Sequence, residues 1–364
     1  MNIETKALIA MSGGVDSSVA AALMLEQAIQ CTGVTFRLFR ENRCTSLADT
    51  FHRNENDAKT VALALGIEHH ELDFTDEFEN EVIRRFVETY EAGETPNPCI
   101  ECNRRVKFNL SMLRGKLRCK MKEGLGDFDI FVTGHYARIT HDPVSGRFLL
   151  RKALDTNKDQ SYVLYCLSQE QLEKARFPLG ELSKHEVRKI AEEKKLVSAG
   201  KPDSQDICFV PDGDYGSFIE KHTGKTYPEG DIIDPEGKII GRHRGVIRYT
   251  VGQRRGLGVA ANIPVYVTAK SAADNTVTLG PDSALFSKAL TAKDINLIAC
   301  ADLKKPMRVM VKTRYLQTAQ SAVAEQTGEN SLHIEFDEPQ RAITPGQAAV
   351  MYDGDVVVGG GTIE

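Results

Sequence analysis

Apolar and polar positions alternate in blocks through the first third of the chain. Ala7-Leu8-Ile9-Ala10-Met11 is a short apolar run, and Val19, Ala22, Leu23 and Leu25 follow at helical spacing with no Pro or Gly among them. Runs at 6–11, 33–36, 68–72 and 129–133 read as strands, and 16–29, 55–65, 76–91 and 104–121 as helices. Strands alternating with helices predict a parallel α/β sheet, which binds ligands beyond the carboxyl ends of its strands. That edge would gather the turn at 12–18, the segment after Phe36, and Gly134-His135-Tyr136.

The pattern then changes twice. Residues 148–151 read as a strand, 169–174 and 184–195 as helices, and a polar loop closes the segment at Cys208-Phe209. From 210 to about 283 Gly and Pro are frequent and runs are short, with strands expected at 246–251 and 265–269. From about 285 the pattern is all β, with strands at 307–313, 321–324, 332–336, 348–352 and 356–358 split by Gly, Pro and Asp turns. The expected organisation is a parallel-sheet α/β domain over 1–209, a small mixed α+β domain over 210–283 and a C-terminal β-barrel over 284–364.

Composition narrows the class without naming a function. A chain of 364 residues, 41 % hydrophobic and 27 % charged, is long enough for two or three globular domains. No apolar run approaches the ~18 residues of a membrane span, and the first residues lack a signal-peptide layout, so a cytoplasmic protein with no membrane partner is expected. Eight Cys is below disulfide-scaffold density, so clustered Cys point to thiol or metal chemistry. Net charge is −5, which attracts no nucleic acid globally, and no DNA partner is implied. Yet 103–122 holds eight Lys and Arg, and 241–256 holds Arg242, Arg244, Arg248, Arg254 and Arg255, both without an acid. A single such run reads as a solvated face; two raise the expectation of a polyanionic partner.

Two stretches carry candidate chemistry. Ser12-Gly13-Gly14-Val15-Asp16-Ser17-Ser18 is a glycine turn between a strand and a helix. Its N–H groups and the helix dipole favour an anion, and Asp16 beside it suits a Mg²⁺ carried with phosphates. Gly224-Lys225-Thr226 imitates a Walker loop, but Ile219 stands where the first Gly should be. The second stretch is Asn97-Pro98-Cys99-Ile100-Glu101-Cys102-Asn103, with a helix expected to open at Asn103. A helix N-terminus beside Arg104 and Arg105 should lower the thiol pKa values. Zinc, a redox pair, and a partnership with Cys208 are the competing readings of this C-x-x-C. Cys31, Cys166 and Cys300 sit in apolar patterns and read as core, whereas Cys44 and Cys119 stay unassigned.

Taken together, SGGVDSS, TPNPCIECNRRVKF, TGHYAR, KDQSY, GKPDSQDICFV, YTVGQRRGLG, TRY and TPGQAAVMY resemble, in this order over about residues 6 to 363, the tRNA-specific 2-thiouridylases. These are PP-loop ATP pyrophosphatases, with an adenine nucleotide alpha hydrolase-like sheet. The resemblance implies that ATP adenylates the C2 oxygen of the wobble uridine in the tRNA anticodon loop. Sulfur then replaces it, giving 2-thiouridine, AMP and pyrophosphate. It further implies Cys208 as persulfide carrier, loaded by a sulfur-donor protein (a desulfurase or relay carrier). Cys102 is the implied nucleophile, which frees the sulfur as sulfide or through a transient Cys102–Cys208 disulfide. ATP and Mg²⁺ would be held by Ala10, Met11, Ser12, Gly13, Gly14, Val15, Asp16, Ser17, Phe36 and Gly134. The target base would meet Asn97, Pro98 and Cys99, and tRNA would meet His135, Lys158, Asp159, Gln160, Arg314, Tyr315 and Gln347. Some members of the family have Asp at the position of Cys99. In an Fe–S-dependent variant, Cys99, Cys102 and Cys208 would hold three irons of a [4Fe–4S] cluster. Rival functions are a PP-loop ligase adenylating a small molecule, which gives the thiols no task, and an RNA-binding or Fe–S scaffold that keeps the turn as structure. Residues 198–213 are the expected lid.

Overall fold

A computed structural model describes residues 5–39, 45–120, 127–201, 207–260 and 263–364, with the backbone alone over 45–53. The first sheet contains β1 (Lys6–Ala10), β2 (Gln30–Arg37), β3 (Glu68–Asp73) and β4 (Ile130–Val132). A hairpin, β5 (Arg138–His141) and β6 (Phe148–Arg151), separates these from its last strand, β7 (Ala175–Arg176). All pairings are parallel and the order is β3-β2-β1-β4-β7. Strand order grows outward from β1 in both directions, so the crevice beyond β1 and β4 is the topological switch point. Leu8 and Ile9 are buried because helices cover both faces, which is why β1 reads as an unbroken apolar run. α1 (Val15–Glu26) presents Val19, Ala20, Ala21 and Met24 to one of those faces, packed with Val187 and Ala191 of the helix Lys184–Glu193.

The middle sheet is β8 (Gly230–Ile233), β9 (Ile239–His243), β10 (Tyr266–Ser271) and β11 (Thr276–Gly280), in the order β10-β11-β8-β9. The strand expected at 246–251 is instead a 3₁₀ turn over Val246–Arg248. Val246 and Ile247 are both buried, whereas adjacent strand residues face opposite sides, and Gly245 at φ +94° starts the turn. The Walker imitation has a plain cause: Gly224, at φ +67°, caps the helix Tyr215–Thr223.

Six antiparallel strands close the barrel: β12 (Phe286–Leu297), β13 (Met307–Lys312), β14 (Gln320–Gly328), β15 (Ser331–Arg341), β16 (Ala348–Asp353) and β17 (Val356–Ile363). The order is β12-β15-β14-β13-β16-β17, and β12–β17 pairing removes the open edges. Leu290, Val309, Val311, Ile334, Phe336 and Met351 fill the interior. β12 escaped the sequence pattern because its run, FSKALTAKDINL, mixes six polar or charged residues with six apolar ones and never settles into strict alternation.

The barrel is fastened to the first domain by hydrogen bonds. Asn296 Nδ2 donates to the carbonyls of Tyr165 (2.6 Å) and Leu167 (2.9 Å), and buried Tyr162 OH donates to Ala348 O at 2.9 Å. Arg138 and Arg151 both reach Asp355 at 2.7 Å, and β6 pairs with β17, so the hairpin belongs to the barrel's sheet. Among the described residues no helix is long and apolar enough to cross a membrane. Tyr162→Phe strands the buried Ala348 carbonyl without enlarging a cavity, so it should cost about 1–3 kcal/mol. The check is the denaturant midpoint; an unmoved midpoint would show that this bond does not hold the barrel in place.

Candidate active site

The turn after β1 lies at the switch point. Gly13 is left-handed (φ +72°), and a Cβ there would collide with the backbone oxygen of Asn54. A Cβ on Gly134, at the end of β4, would come within 2.8 Å of the Asp16–Ser17 backbone. Two glycines therefore let α1 begin against the neighbouring strand, leaving its N-terminus open to the crevice. Inside the turn Ser12 N donates to Ser17 Oγ (3.1 Å), and Ser17 and Ser18 hydroxyls donate to Gly14 O (3.2 and 2.8 Å).

Two lysines that the sequence did not single out flank this turn. Lys201 Nζ donates to Gly13 O and Asn54 Oδ1, both at 3.0 Å, and pairs with Asp57. Lys184 Nζ donates to Asp16 Oδ1 at 2.7 Å, where Tyr136 OH also donates at 2.8 Å. The Asp16 carboxylate therefore stands beside the turn with Oδ1 paired to Lys184 and Tyr136. Lys201 lay within the GKPDSQDICFV motif; nothing in sequence spacing marks Lys184, which comes from a separate helix.

Phe36 is half-buried, with its ring 5.0 Å from Phe74 and 6.4 Å from Phe131. These lie on the sheet face that also carries Phe108, whose ring is 6.0 Å from the His135 ring. The same face leads to the cysteines.

The helix expected to open at Asn103 starts at Pro98, with Asn97 as N-cap, and runs as Pro98–Glu101 and then Cys102–Lys107. The second part is wound as a π-helix, with Phe108 N bonded to Asn103 O at 3.2 Å. Pro98 at the helix start costs no hydrogen bond, since that N–H would be unpaired in any helix. Buried Asn103 donates to Val163 O at 3.0 Å. A second helix, Leu110–Lys120, starts after a break in which Asn109 Oδ1 accepts from Met112 N at 3.2 Å. The single helix expected over 104–121 is therefore two.

Cys102 is buried, while Cys99 and Cys208 expose part of their surface. The three interact electrostatically with one another and with the Lys107 ammonium, so the structure groups all three in one region of the protein. Their pKa values contradict the expectation of activated thiols. Burial pushes Cys102 up to about 11 and Cys208 up to about 12, and raises Cys99. Arg104 and Arg105 do not offset this because they are turned to carboxylates: Arg105 to Glu101 and Glu81, Arg104 to Glu101. The opposing charge comes from Lys107, present in the NRRVKF motif but passed over there. Its own pKa is raised: burial works against the charge, and Cys102, Cys99 and Cys208 overcome it. Among the described residues no three of His, Cys, Asp and Glu are grouped to hold a metal ion. As placed, the thiols do not fit a [4Fe–4S] cluster.

The residues expected to touch tRNA divide into two groups. Arg314 is exposed, and Tyr315 and Lys158 are half-buried. Burial, with Asp159 and Cys99 nearby, raises Tyr315 to about 12, which places the barrel's Thr-Arg-Tyr at the thiol cleft. Three of the others hold backbone, as Arg314 Nη2 also does through Arg341 O at 3.0 Å. Asp159 is buried and accepts from Ala153 N (3.1 Å), Ser161 N (3.2 Å) and Ser161 Oγ (2.9 Å). Gln160 Oε1 accepts from Tyr136 N at 2.9 Å. Gln347 Nε2 donates to Thr95 O (2.9 Å) and Pro96 O (3.1 Å), just ahead of Pro98-Cys99. The two basic runs are partly taken up by ion pairs: Arg114 with Asp127, Lys116 with Glu77, Arg242 with Asp231, and Arg248 with Glu220. Cys31 and Cys166 are buried as expected, Cys300 is half-buried and Cys119 exposed. Cys44 and residues 202–206 of the expected lid lie outside the described residues.

Three family models match the chain: tRNA methyl transferase HUP domain over residues 5–212, tRNA methyl transferase PRC-barrel domain over 216–281, and Aminomethyltransferase beta-barrel domain over 287–363. The chain is 47 % identical over 368 residues to the tRNA-specific 2-thiouridylase MnmA of Acetivibrio thermocellus, with 99 % of each chain covered. It is 48 % identical over 365 residues to the protein of that name from Heliobacterium modesticaldum, covering 98 % of this chain and 91 % of the relative. The corresponding protein of Clostridioides difficile is 44 % identical over 372 residues, covering 100 % and 99 %.

His135 links the two halves of the site and yields a pH prediction. Burial, then the Lys107 charge, pushes its pKa from 6.5 to about 3, and Thr133 Oγ1 lies 2.7 Å from Nδ1. Between those values the unfolded chain carries the extra proton, so His135 contributes its full stability above about pH 6.5 and loses it as pH falls toward 3. His135→Gln should flatten the decline of the denaturation midpoint between pH 7 and 4. Equal slopes in the two proteins would remove the argument.

Proposed function

The chain belongs to the tRNA-specific 2-thiouridylase family, and we propose that it thiolates the wobble uridine of tRNA by ATP-dependent adenylation followed by persulfide transfer. The observation that carries this reading is the sharing of one cleft. Gly134 packs on the phosphate turn, and its neighbour His135 feels the ammonium of Lys107, which also faces all three thiols. A base held there would lie between the nucleotide and the sulfur carriers.

ATP lies along residues 10–17, its phosphates on the α1 N-terminus, with Phe36 and Gly134 at the nucleoside end. Mg²⁺ carried with the phosphates would screen their negative charge. The uracil C2 oxygen is a poor leaving group; it attacks the α-phosphorus, pyrophosphate departs, and the oxygen becomes part of an AMP leaving group. For this the base leaves its stack, which the single-stranded anticodon loop makes inexpensive. Asn97, Pro98 and Cys99 receive the base. Lys158, Arg314 and Tyr315 meet the RNA, and Gln347, Asp159, Gln160 and His135 shape the wall behind it.

Cys208 brings sulfur as a persulfide loaded by a donor protein. Its partial exposure suits loading from outside, and the burial of Cys102 suits a nucleophile shielded from other electrophiles. Cys102 attacks Cys208 Sγ, the Sγ–S bond breaks, and hydrosulfide leaves with the electron pair. Hydrosulfide adds at C2, AMP departs, and a thiol reductant reopens the Cys102–Cys208 disulfide.

Cells lacking this gene should lose 2-thiouridine from tRNA nucleosides measured by mass spectrometry. Wild type should restore it, and Cys208→Ser and Cys102→Ser should not. Restoration by both serine variants would show that sulfur reaches C2 without these thiols, and unchanged 2-thiouridine in cells lacking the gene would assign the AMP-forming chemistry to a small molecule instead. Gln347→Leu removes two bonds from the Thr95-Pro96 backbone, and thiolation should slow about tenfold. Filter binding should show tRNA affinity within about twofold of wild type; a loss confined to affinity would make Gln347 an RNA contact rather than a brace.

A further inference from the structure

Lys107 differs from the other cations around the cleft. Arg104, Arg105, Lys184 and Lys201 each have a carboxylate within ion-pair distance. Among the described residues Lys107 has neither a carboxylate partner nor a hydrogen bond, although it is half-buried. An ammonium taken from water without a counter-ion is costly, so its surroundings must supply negative charge in the working state. The groups it faces are Cys102, Cys99 and Cys208.

The winding of the helix explains how it reaches them. In an α-helix, positions five apart differ by about 140° around the axis, which would turn residue 107 away from Cys102. Between Cys102 and Lys107 the bonds run i→i+5, as Phe108 N to Asn103 O records, and this brings the fifth residue back toward the first. Extra turns of this kind are unfavourable in general and concentrate at functional sites. Here the winding has one visible consequence for chemistry, the placement of a cation beside a thiol.

We propose that Lys107 is the counter-charge of the sulfur-transfer step, holding the negative charge as it passes from Cys102 to the departing sulfur. This rests on the reading of Cys102 as nucleophile and Cys208 as persulfide carrier. As Cys102 S⁻ attacks Cys208 Sγ, the Cys102–Cys208 bond forms, the bond to the outer sulfur breaks, and HS⁻ carries off the charge. One negative charge is present before and after, and only its position changes. Lys107 keeps its three protons throughout. Its ammonium faces both cysteines, so it stabilises both ends of the displacement and the transition state between them.

The test uses the full chain and two variants. Lys107→Met removes the charge and keeps the length; Lys107→Arg restores the charge. With neither ATP nor tRNA present, iodoacetamide alkylation of Cys102 at pH 8, followed by peptide mass spectrometry, should slow about tenfold in Lys107→Met and return to within about threefold of wild type in Lys107→Arg. Single-turnover thiolation of tRNA by persulfide-loaded protein should follow the same order. The melting temperature of Lys107→Met should equal or exceed that of wild type, because an uncompensated charge is removed. Wild-type alkylation and thiolation rates in Lys107→Met would overturn the proposal. So would a lowered melting temperature with no rescue by Arg, which would make Lys107 a packing residue. The alkylation result stands apart from the assigned reaction: persistent thiolation in Cys102→Ser would end the reading of Cys102 while leaving the charge effect measured.

Discussion

The segment from Thr95 to Phe108 is held by three other parts of the chain, and the site depends on that confinement. Gln347 and Pro345 of the barrel bond to Thr95 and Pro96 at its start. Val163 O accepts from Asn103 in its middle. Gln171 Nε2 donates to Phe108 O at 2.9 Å at its end. A π-wound turn does not persist by propensity, because its bonds are fewer and its winding is strained relative to an α-helix. Tertiary bonds must fix it, and each of these comes from a different stretch of sequence. The same bonds keep two cysteines, a lysine and the Asn97-Pro98 turn in register.

Confinement has an electrostatic cost that the charges around it partly offset. The surrounding atoms raise all three thiols, which leaves them poor nucleophiles at rest, and Cys102 is in addition shielded from solvent. A single inward-facing ammonium opposes that effect without giving the cleft a permanent thiolate. His135 stays neutral between the two charged regions, so the cleft does not accumulate positive charge near the nucleotide turn. The nucleotide turn follows the same economy: Asp16 and Asp57 each neutralise one lysine, so the N-terminus of α1 meets its anion as a backbone site.

The barrel therefore does more than extend the surface. Its closure removes sheet edges, its loop at 345–347 bonds to the segment that carries Cys99 and Cys102, and Tyr315 feels Cys99. The β5–β6 hairpin lies in sequence between two strands of the first sheet, yet it pairs with β17 and shares Asp355 through two arginines. Domain boundaries drawn by sequence texture pass between groups that hydrogen bonds join. The middle sheet is tied in through Glu91, which takes bonds from both Lys225 and Tyr227.

Much of the architecture was legible in local pattern. Apolar periodicity marked β1 to β4, most barrel strands and the helix after the phosphate turn, because those segments bury one face or both in the way their period implies. The glycine turn and the cysteine spacing were legible because local chemistry requires Gly13 at its left-handed angle and thiols near a helix start. The thiol pKa direction was not, since it depends on how many distant atoms surround each sulfur and on which carboxylates claim Arg104 and Arg105. Nor was Lys107, because five residues from Cys102 lies on the far side of an α-helix and on the near side only of the π-helix that tertiary bonds impose. Sequence alone determined which chemical groups this protein owns and which elements carry them. Tertiary structure decided which groups share a cleft, which are buried, and which charges are already taken, because burial and ion pairing depend on neighbours that are remote along the chain.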